Sequence, residues 1–536
     1  MQKYTLETCR KRTSGVGART TVMALKGLRM AELRSQWGSK VGFVLAASGS
    51  AIGLGNIVFF SANAYKYGGG AFYIPYIVAF CILGIPIMLM ELALGAHTGK
   101  AFPQSLYRIG KRPAEFIGWW GVLNATVICM YYVAILAWVL GMFIGSMKGL
   151  WSSEPVTSGA FGSLALPNPF GYFFGMLGSW DTLWYVAIVW ALNLLIVLRG
   201  ARSIESATRF LVPLMWLCMI ALIVRGVSLP NGEQGAYLLF SPNFTVMADP
   251  EVWKGAFSQM FFTLSLGFGI MTAYASYLPK KSDQVHNAAT ICFLNCSFEF
   301  IAGLAVFSLL FAFSVVPKAS TLSMMFFVVP QGIAKLPHFV VGFGMLFFFL
   351  LFIAGLTSSI SLVEAFVASI LDKFRWRRKK AVLVVALCSM LGSMCFALPH
   401  VVDPTLASNG TLGLTLLDLF DHWSFSYGLL IVGFFECLII GWVFGARKLR
   451  EIINRDSTLG IGWWWDALIK VVNPVIIAVV IGWGVWTEVR DGLYGASFTI
   501  QGIPWLSWFA FGAWFLFTTG LALVFTFGRK YREEQG

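Results

Sequence analysis

Between Val41 and Tyr65 lie twenty-five residues with no charged side chain, and at their centre stands Gly49-Ser50-Ala51-Ile52-Gly53-Leu54-Gly55-Asn56. The run is long enough to span a bilayer as a helix, yet it carries three glycines and a polar Asn where the helix should be strongest. A helix broken there exposes backbone carbonyls. In hydrocarbon each unpaired carbonyl costs several kcal/mol, so a break is tolerable only where the freed groups face a cavity or a ligand. Carbonyl and amide oxygens are the donors a hard cation prefers, so the stretch predicts an ion and solute site at mid-membrane. A second stretch repeats the pattern: Thr263-Leu264-Ser265-Leu266-Gly267-Phe268-Gly269, flanked by Phe261, Phe262, Tyr274 and Tyr277. Either stretch alone could be a glycine-mediated packing contact, Gly49-xxx-Gly53 included. As a pair, in corresponding positions of two halves, they point to a transport site.

Asn295 and Glu299 are spaced i,i+4 and share one helix face. A carboxylate at the bilayer centre costs about 2.5–3.5 kcal/mol on insertion scales, so Glu299 should face the bundle interior. Glu91 and Glu436 are read as buried, hydrogen-bonded structural groups. Cys292 and Cys296 also share helical spacing, but two thiols without a nearby His read as core. The five His (His97, His286, His338, His400, His422) lie at the ends of apolar runs with no metal or triad spacing, so an enzyme is not expected.

These residues need a frame to hold them. The chain is 536 residues, 58% hydrophobic and 12% charged, with a mean hydropathy of +0.75, which places it among polytopic membrane proteins. Apolar runs fall near residues 41–62, 69–96, 116–147, 182–198, 204–227, 255–278, 286–316, 337–371, 381–398, 415–446, 471–487 and 505–528. Twelve spans starting from a cytoplasmic N-terminus put 32 of the 39 Lys and Arg on the cytoplasmic side, the bias that sets orientation. The net charge of +14 is explained by those clusters and does not call for nucleic acid. All cysteines but Cys9 lie in or against apolar runs, so no disulfide framework is expected. Asn243-Phe244-Thr245 and Asn409-Gly410-Thr411 match glycosylation triplets, which are common by chance.

Several motifs together resemble the neurotransmitter:sodium symporter family, in its bacterial leucine-transporter-like form. They are Trp37-Gly38-Ser39-Lys40, the Gly49–Asn56 stretch, Gly68-Gly69-Gly70-Ala71-Phe72-Tyr73-Ile74-Pro75-Tyr76, Phe261 to Gly269 with Tyr274-Ala275-Ser276-Tyr277, and Ala354-Gly355-Leu356-Thr357-Ser358-Ser359. The likeness runs from about Arg34 to the last span. It implies an all-α fold of twelve transmembrane helices, a 5+5 inverted repeat at about 37–227 and 252–446 within a core of 37–446. The first and sixth spans are then unwound at mid-membrane. Residues 1–36 are then a basic cytoplasmic arm, and 447–536 the two peripheral helices with a short cytoplasmic tail.

The resemblance further implies two sodium sites, one on Ala51, Asn56, Thr263 and Asn295, the other on Gly49, Ile52, Ala354, Thr357 and Ser358. Thr357 and Ser358 taken alone would more simply bond back to their own helix. The implied substrate pocket is Ser50, Ala51, Leu54, Gly55, Ile128, Tyr132, Phe262, Thr263, Ser265, Phe268, Ser358 and Leu362. Glu299 stands where other members bind chloride, which implies chloride independence. Gly53 stands where amine-transporting members carry Asp, which disfavours a monoamine. The implied inner gate is Arg34 with Asp372. The outer gate departs from the family: Phe59 replaces the Arg that should pair with Asp421. Asp421 must then be solvated, protonated or paired elsewhere.

The expectation is a sodium-coupled symporter of a neutral apolar or aromatic amino acid, in the cell's inner membrane with both termini cytoplasmic, as monomer or homodimer. A polyol, zwitterion or amine as solute, or a non-transporting sensor with the same fold, are the alternatives.

Overall fold

The computed structural model describes residues 36–148, 150–151, 156–157, 165–166, 169–241, 244–279, 281–318, 320–399, 411–495 and 505–531. Arg34, Asn243, Asn409 and Gly410 lie outside the described residues.

The first helix starts where Ser39 caps it, its hydroxyl accepting from the Gly42 N–H, and runs as α1 (Lys40–Ala51). It stops because Ile52 turns extended, at ψ 101°. The chain resumes as α2 (Gly55–Lys66) through a π-helical turn at Gly55–Phe59, bent by 55° from α1. There follow α3 (Gly70–Thr98), α4 (Phe102–Lys148, kinked at Lys111), the pair α5 (Phe170–Leu177) and α6 (Asp181–Val197), and α7 (Ala201–Val227). Between α4 and α5 a minimal antiparallel ladder pairs Val156 with Leu166 and Thr157 with Ala165.

The second break is built differently. Asp249 caps α8 (Pro250–Thr263), which ends at Leu264, and α9 (Ile270–Ala275) begins after Gly269. Ser265, Gly267 and Gly269 all have positive φ, at 54°, 75° and 72°. Two of the three are glycines because an L side chain is strained there; Ser265 carries that strain itself. The Gly267 N–H freed by the break donates to the Glu91 carboxylate on α3 at 2.8 Å.

The remainder is α10 (Gln284–Ala312), α11 (Val340–Phe374), α12 (Arg378–Phe396), α13 (Leu412–Asp456), α14 (Trp463–Asp491) and α15 (Leu506–Phe527). Among the described residues, nine helices are long and apolar enough to cross a membrane, and eleven runs if each of the bent pairs α1–α2 and α5–α6 counts as one. The pieces α8 and α9 have 14 and 6 residues and fall short individually. The apolar stretches of α3 and α4 are 72% buried in the protein, against 22% for α14 and 28% for α15. Apolar helices with so little protein around them, such as α14 with Val479, Trp486 and Val489 exposed, match lipid-facing surface. The described cysteines are free. Of the two carboxylates expected to be buried and hydrogen-bonded, Glu91 is, through the Gly267 N–H, whereas Glu436 is wholly buried on α13 with neither oxygen hydrogen-bonded among the described residues, so that expectation is corrected for Glu436.

Candidate functional site

The α1–α2 break, the start of the α8–α9 break and the middles of α10 and α11 meet in one place. Asn56, the first polar side chain past the break, is fully buried and accepts from the Gly53 N–H at 2.8 Å, so it caps the half-helix it belongs to. Its amide nitrogen lies 2.8 Å from the Asn295 side chain and 3.1 Å from the Thr263 hydroxyl. The Asn295 amide is 2.8 Å from the same hydroxyl. Turned over, it reaches the Ala51 carbonyl at 3.2 Å and the Thr263 carbonyl at 3.1 Å. The four residues expected at the first sodium site therefore converge on one point, with amide, hydroxyl and carbonyl oxygens available to a hard cation.

Behind them stands Glu299. Its carboxylate accepts from Thr263 at 2.6 Å, from Gln259 at 3.0 Å and from the Tyr76 hydroxyl, and the residue is wholly buried. Gln259 in turn accepts from the Asn63 amide at 2.8 Å. A buried carboxylate with three donors thus stands directly against the Thr263 hydroxyl of the cluster.

The second expected set is also gathered, at the other side of α1. Gly49 lets α1 approach α7 and α11: a methyl there would lie 2.7 Å from Val212 and 3.7 Å from Thr357. The Ser358 hydroxyl donates to the freed Ser50 carbonyl at 2.9 Å. The Thr357 hydroxyl, in contrast, bonds back to Ala354 and Ile353 of its own helix, at 2.9 and 3.2 Å. Thr357 thus lies opposite Gly49, with its proton satisfied locally by the Ala354 and Ile353 carbonyls.

A small cavity of about 30 Å³ lies against the break, lined among others by Ser50, Gly53, Tyr132, Phe268 and Ser358. Ten of the twelve expected pocket residues line it: Ser50, Ala51, Gly55, Ile128, Tyr132, Phe262, Ser265, Phe268, Ser358 and Leu362. Leu54 and Thr263 do not. Leu54 instead donates its N–H to the Tyr132 hydroxyl at 3.2 Å, which also hydrogen-bonds with Ser358, and Thr263 faces the Asn56 cluster. Gly53, Asn56 and Ile270 line the cavity without having been expected there. The carboxylate's donors Gln259 and Tyr76 were also not expected, although Gln259 sits one helical turn before Thr263 and Tyr76 ends the Gly68–Tyr76 motif.

Matched to this arrangement, the model of the sodium:neurotransmitter symporter family covers residues 34–156 and 172–525. The chain belongs to that family. An uncharacterized sodium-dependent transporter of Methanocaldococcus jannaschii is 39% identical over 456 residues, 84% of this chain and 90% of that protein. The sodium- and chloride-dependent GABA transporter 2 of Bos taurus is 29% identical over 80% of this chain and 76% of its own length. The crystal structure of MhsT in complex with L-phenylalanine superposes with a TM-score of 0.71 at 30% identity, covering 84% of this chain and 99% of that one. This symporter is thus a multi-pass membrane protein of a sodium-using transporter family.

The gate residues are spread around this centre. Phe59 packs edge-on to Phe262 and Phe425, with centroids 5.6 and 5.8 Å away. Asp421 is half-buried next to the Tyr131 hydroxyl of α4, with Asp418 one turn away on its own helix. Asp372 accepts from the Ala101 N–H at 2.7 Å and lies 3.8 Å from Lys100. Nearby, Trp37 donates to the Tyr274 carbonyl at 2.8 Å, and Tyr277 to Glu364 at 2.7 Å. Phe425 carries no sequence signal, because a π-helical turn at His422–Gly428 shifts the periodicity that would have placed it.

Proposed function

We propose that this symporter couples sodium entry to uptake of a neutral, apolar or aromatic amino acid by alternating access, without chloride. The observation that carries the reading is the convergence of Ala51, Asn56, Thr263 and Asn295 at the wall of a cavity whose other walls are Tyr132, Phe262, Phe268, Ile128 and Leu362. One side of that cavity offers the half-helix break and the Tyr132 hydroxyl to a carboxylate, which a helix N-terminus favours. The other offers apolar and aromatic side chains. Gly53 leaves no carboxylate to hold a free amine. MhsT, which superposes on the chain, is described with L-phenylalanine, in keeping with such a pocket.

In this reading sodium is co-substrate, held at the Asn56 site and at the site of Gly49, Ile52, Ala354, Thr357 and Ser358. Inward release begins when the second opens. Glu299 supplies the charge that chloride supplies elsewhere in the family. Twelve spans, with α8–α9 as the sixth, form inverted repeats at about 37–227 and 252–446, and 447–536 adds the peripheral pair. Both termini face the cytoplasm of a cell whose inner membrane holds the protein, and Arg34 closes the inner path with Asp372. A thermal-shift screen of the purified protein tests this: L-phenylalanine should stabilise it in sodium chloride and equally in sodium gluconate, and not in potassium chloride. Stabilisation by polyols or amines alone would overturn the amino-acid assignment.

A further inference from the structure

Three rings pack together beside the cavity, on the Lys66 side of the break. Phe59 lies three residues past Asn56, Phe262 immediately precedes Thr263, and Phe425 sits in the π-helical turn of α13. Their centroids are 5.6 Å apart for Phe59–Phe262, 5.8 Å for Phe59–Phe425 and 4.8 Å for Phe262–Phe425, and every pair meets edge to face, at 90°, 79° and 74°. That is the arrangement the ring quadrupoles favour. Phe262 also lines the cavity, and its ring lies so close to α2 that a methyl on Gly55 would come within 2.4 Å of it. The triangle therefore abuts the cavity through Phe262 and joins α2, α8 and α13.

The carboxylate that an ion-pair gate would need is not part of it. Asp421 is one turn before Phe425 but stands beside Tyr131 of α4. With Phe59 in the place of an Arg, α2 presents no cation toward it.

We infer that Phe59, Phe262 and Phe425 form an apolar outer gate that seals the cavity in place of an ion pair, with Asp421 serving only to hold α13 against α4. The gate rests on the reading of the cavity as the solute site. Closure by rings removes apolar surface from water and has no charge pair to screen, so it should not respond to ionic strength. It also presents apolar surface to whatever part of the solute points outward, and so works against a solute with a second charge at that end.

The test is labelling of a cavity cysteine in full-length protein in lipid nanodiscs. Cys9, Cys81, Cys388 and Cys395 are replaced by Ser, Ile128→Cys is introduced, and a charged methanethiosulfonate is added in sodium buffer at about 20 and about 500 mM ionic strength, set with choline chloride. Labelling should be slow and equal at both strengths. Phe59→Ala and Phe425→Ala should each speed it about tenfold, Phe59→Leu and Phe425→Leu less, and Asp421→Asn not at all. Each variant is checked for its sodium-dependent thermal shift, and the Leu variants decide the matter if an Ala variant loses it. Unchanged labelling in the ring variants, acceleration by salt in the parent, or an Asp421→Asn effect as large as that of Phe425→Ala would each overturn the gate. Absence of any sodium shift in the parent would instead reject the symporter reading, with the gate still judged by labelling.

Discussion

At position 53 a hydrogen is all that fits. A Cβ there would lie 2.8 Å from the Ser358 hydroxyl and 2.9 Å from the Tyr132 hydroxyl, both of which face the cavity. Gly53→Ala should therefore weaken L-phenylalanine binding about tenfold or more, equivalent to about 1.4 kcal/mol, while sodium alone still stabilises the protein; scintillation proximity binding measures it. Asn56→Ala removes a cap and two cluster contacts at once, and the sodium-dependent thermal shift should disappear. Glu299→Gln removes the fixed charge behind Thr263. Stabilisation by sodium should fall in gluconate and recover in chloride; equal shifts in the two salts would show that the carboxylate does not stand in for the anion. Most of these residues could be picked out in the sequence because polar side chains stand out inside apolar runs. Gln259, Tyr76 and Phe425 could not, since nothing in an apolar helix marks which neighbour will turn toward a buried carboxylate or an adjacent ring.

The two broken helices depend on different backbone devices. At Ile52 an extended residue ends α1, and a π-helical turn restarts the chain. At 265–269 positive φ values do the work, and Gly267, at φ 75°, would also bring a methyl within 3.0 Å of the Leu429 carbonyl. Gly267→Ala should cost about 1–2 kcal/mol from backbone strain alone and lower the melting temperature by a few degrees. The glycines announce both breaks in the sequence. Ser265 does not, because a serine at φ 54° has no local reason to be there and is held by its surroundings. At the start of α10, partial burial works against ionisation of Asp283, but the His286 N–H and the Thr458 N–H and hydroxyl outweigh it and hold the carboxyl at about 2. Its ionised form thus favours the folded state. That contribution is present above the ordinary carboxylate range near 4 and fades as pH falls toward about 2. Asp283→Ala should lower thermal stability at pH 7 by the amount of a lost helix cap, about 0.5–2 kcal/mol, with the difference from the parent shrinking in acid.

At the scale of the molecule, hydropathy alone located the nine membrane-length helices found among the described residues, because a bilayer forces about twenty apolar residues into each crossing. What hydropathy could not supply was the meeting of α1, α8, α10 and α11 at one point, which depends on packing between residues hundreds of positions apart, such as Asn56 and Asn295. Motif resemblance supplied that grouping, and the geometry agrees with it for ten of twelve pocket residues. At the outer gate the chain departs from the motif, and there Phe59, in the place of the Arg, packs on Phe425. The central claim is that sodium and an amino acid bind at the same broken helices and move together. Its most direct test is uptake of radiolabelled L-phenylalanine and other neutral amino acids into proteoliposomes holding the purified symporter. An inward sodium gradient should drive accumulation in chloride and gluconate alike, and Asn56→Ala should abolish it. Equal uptake with sodium or potassium outside, or no uptake of any neutral amino acid under the gradient, would contradict the account.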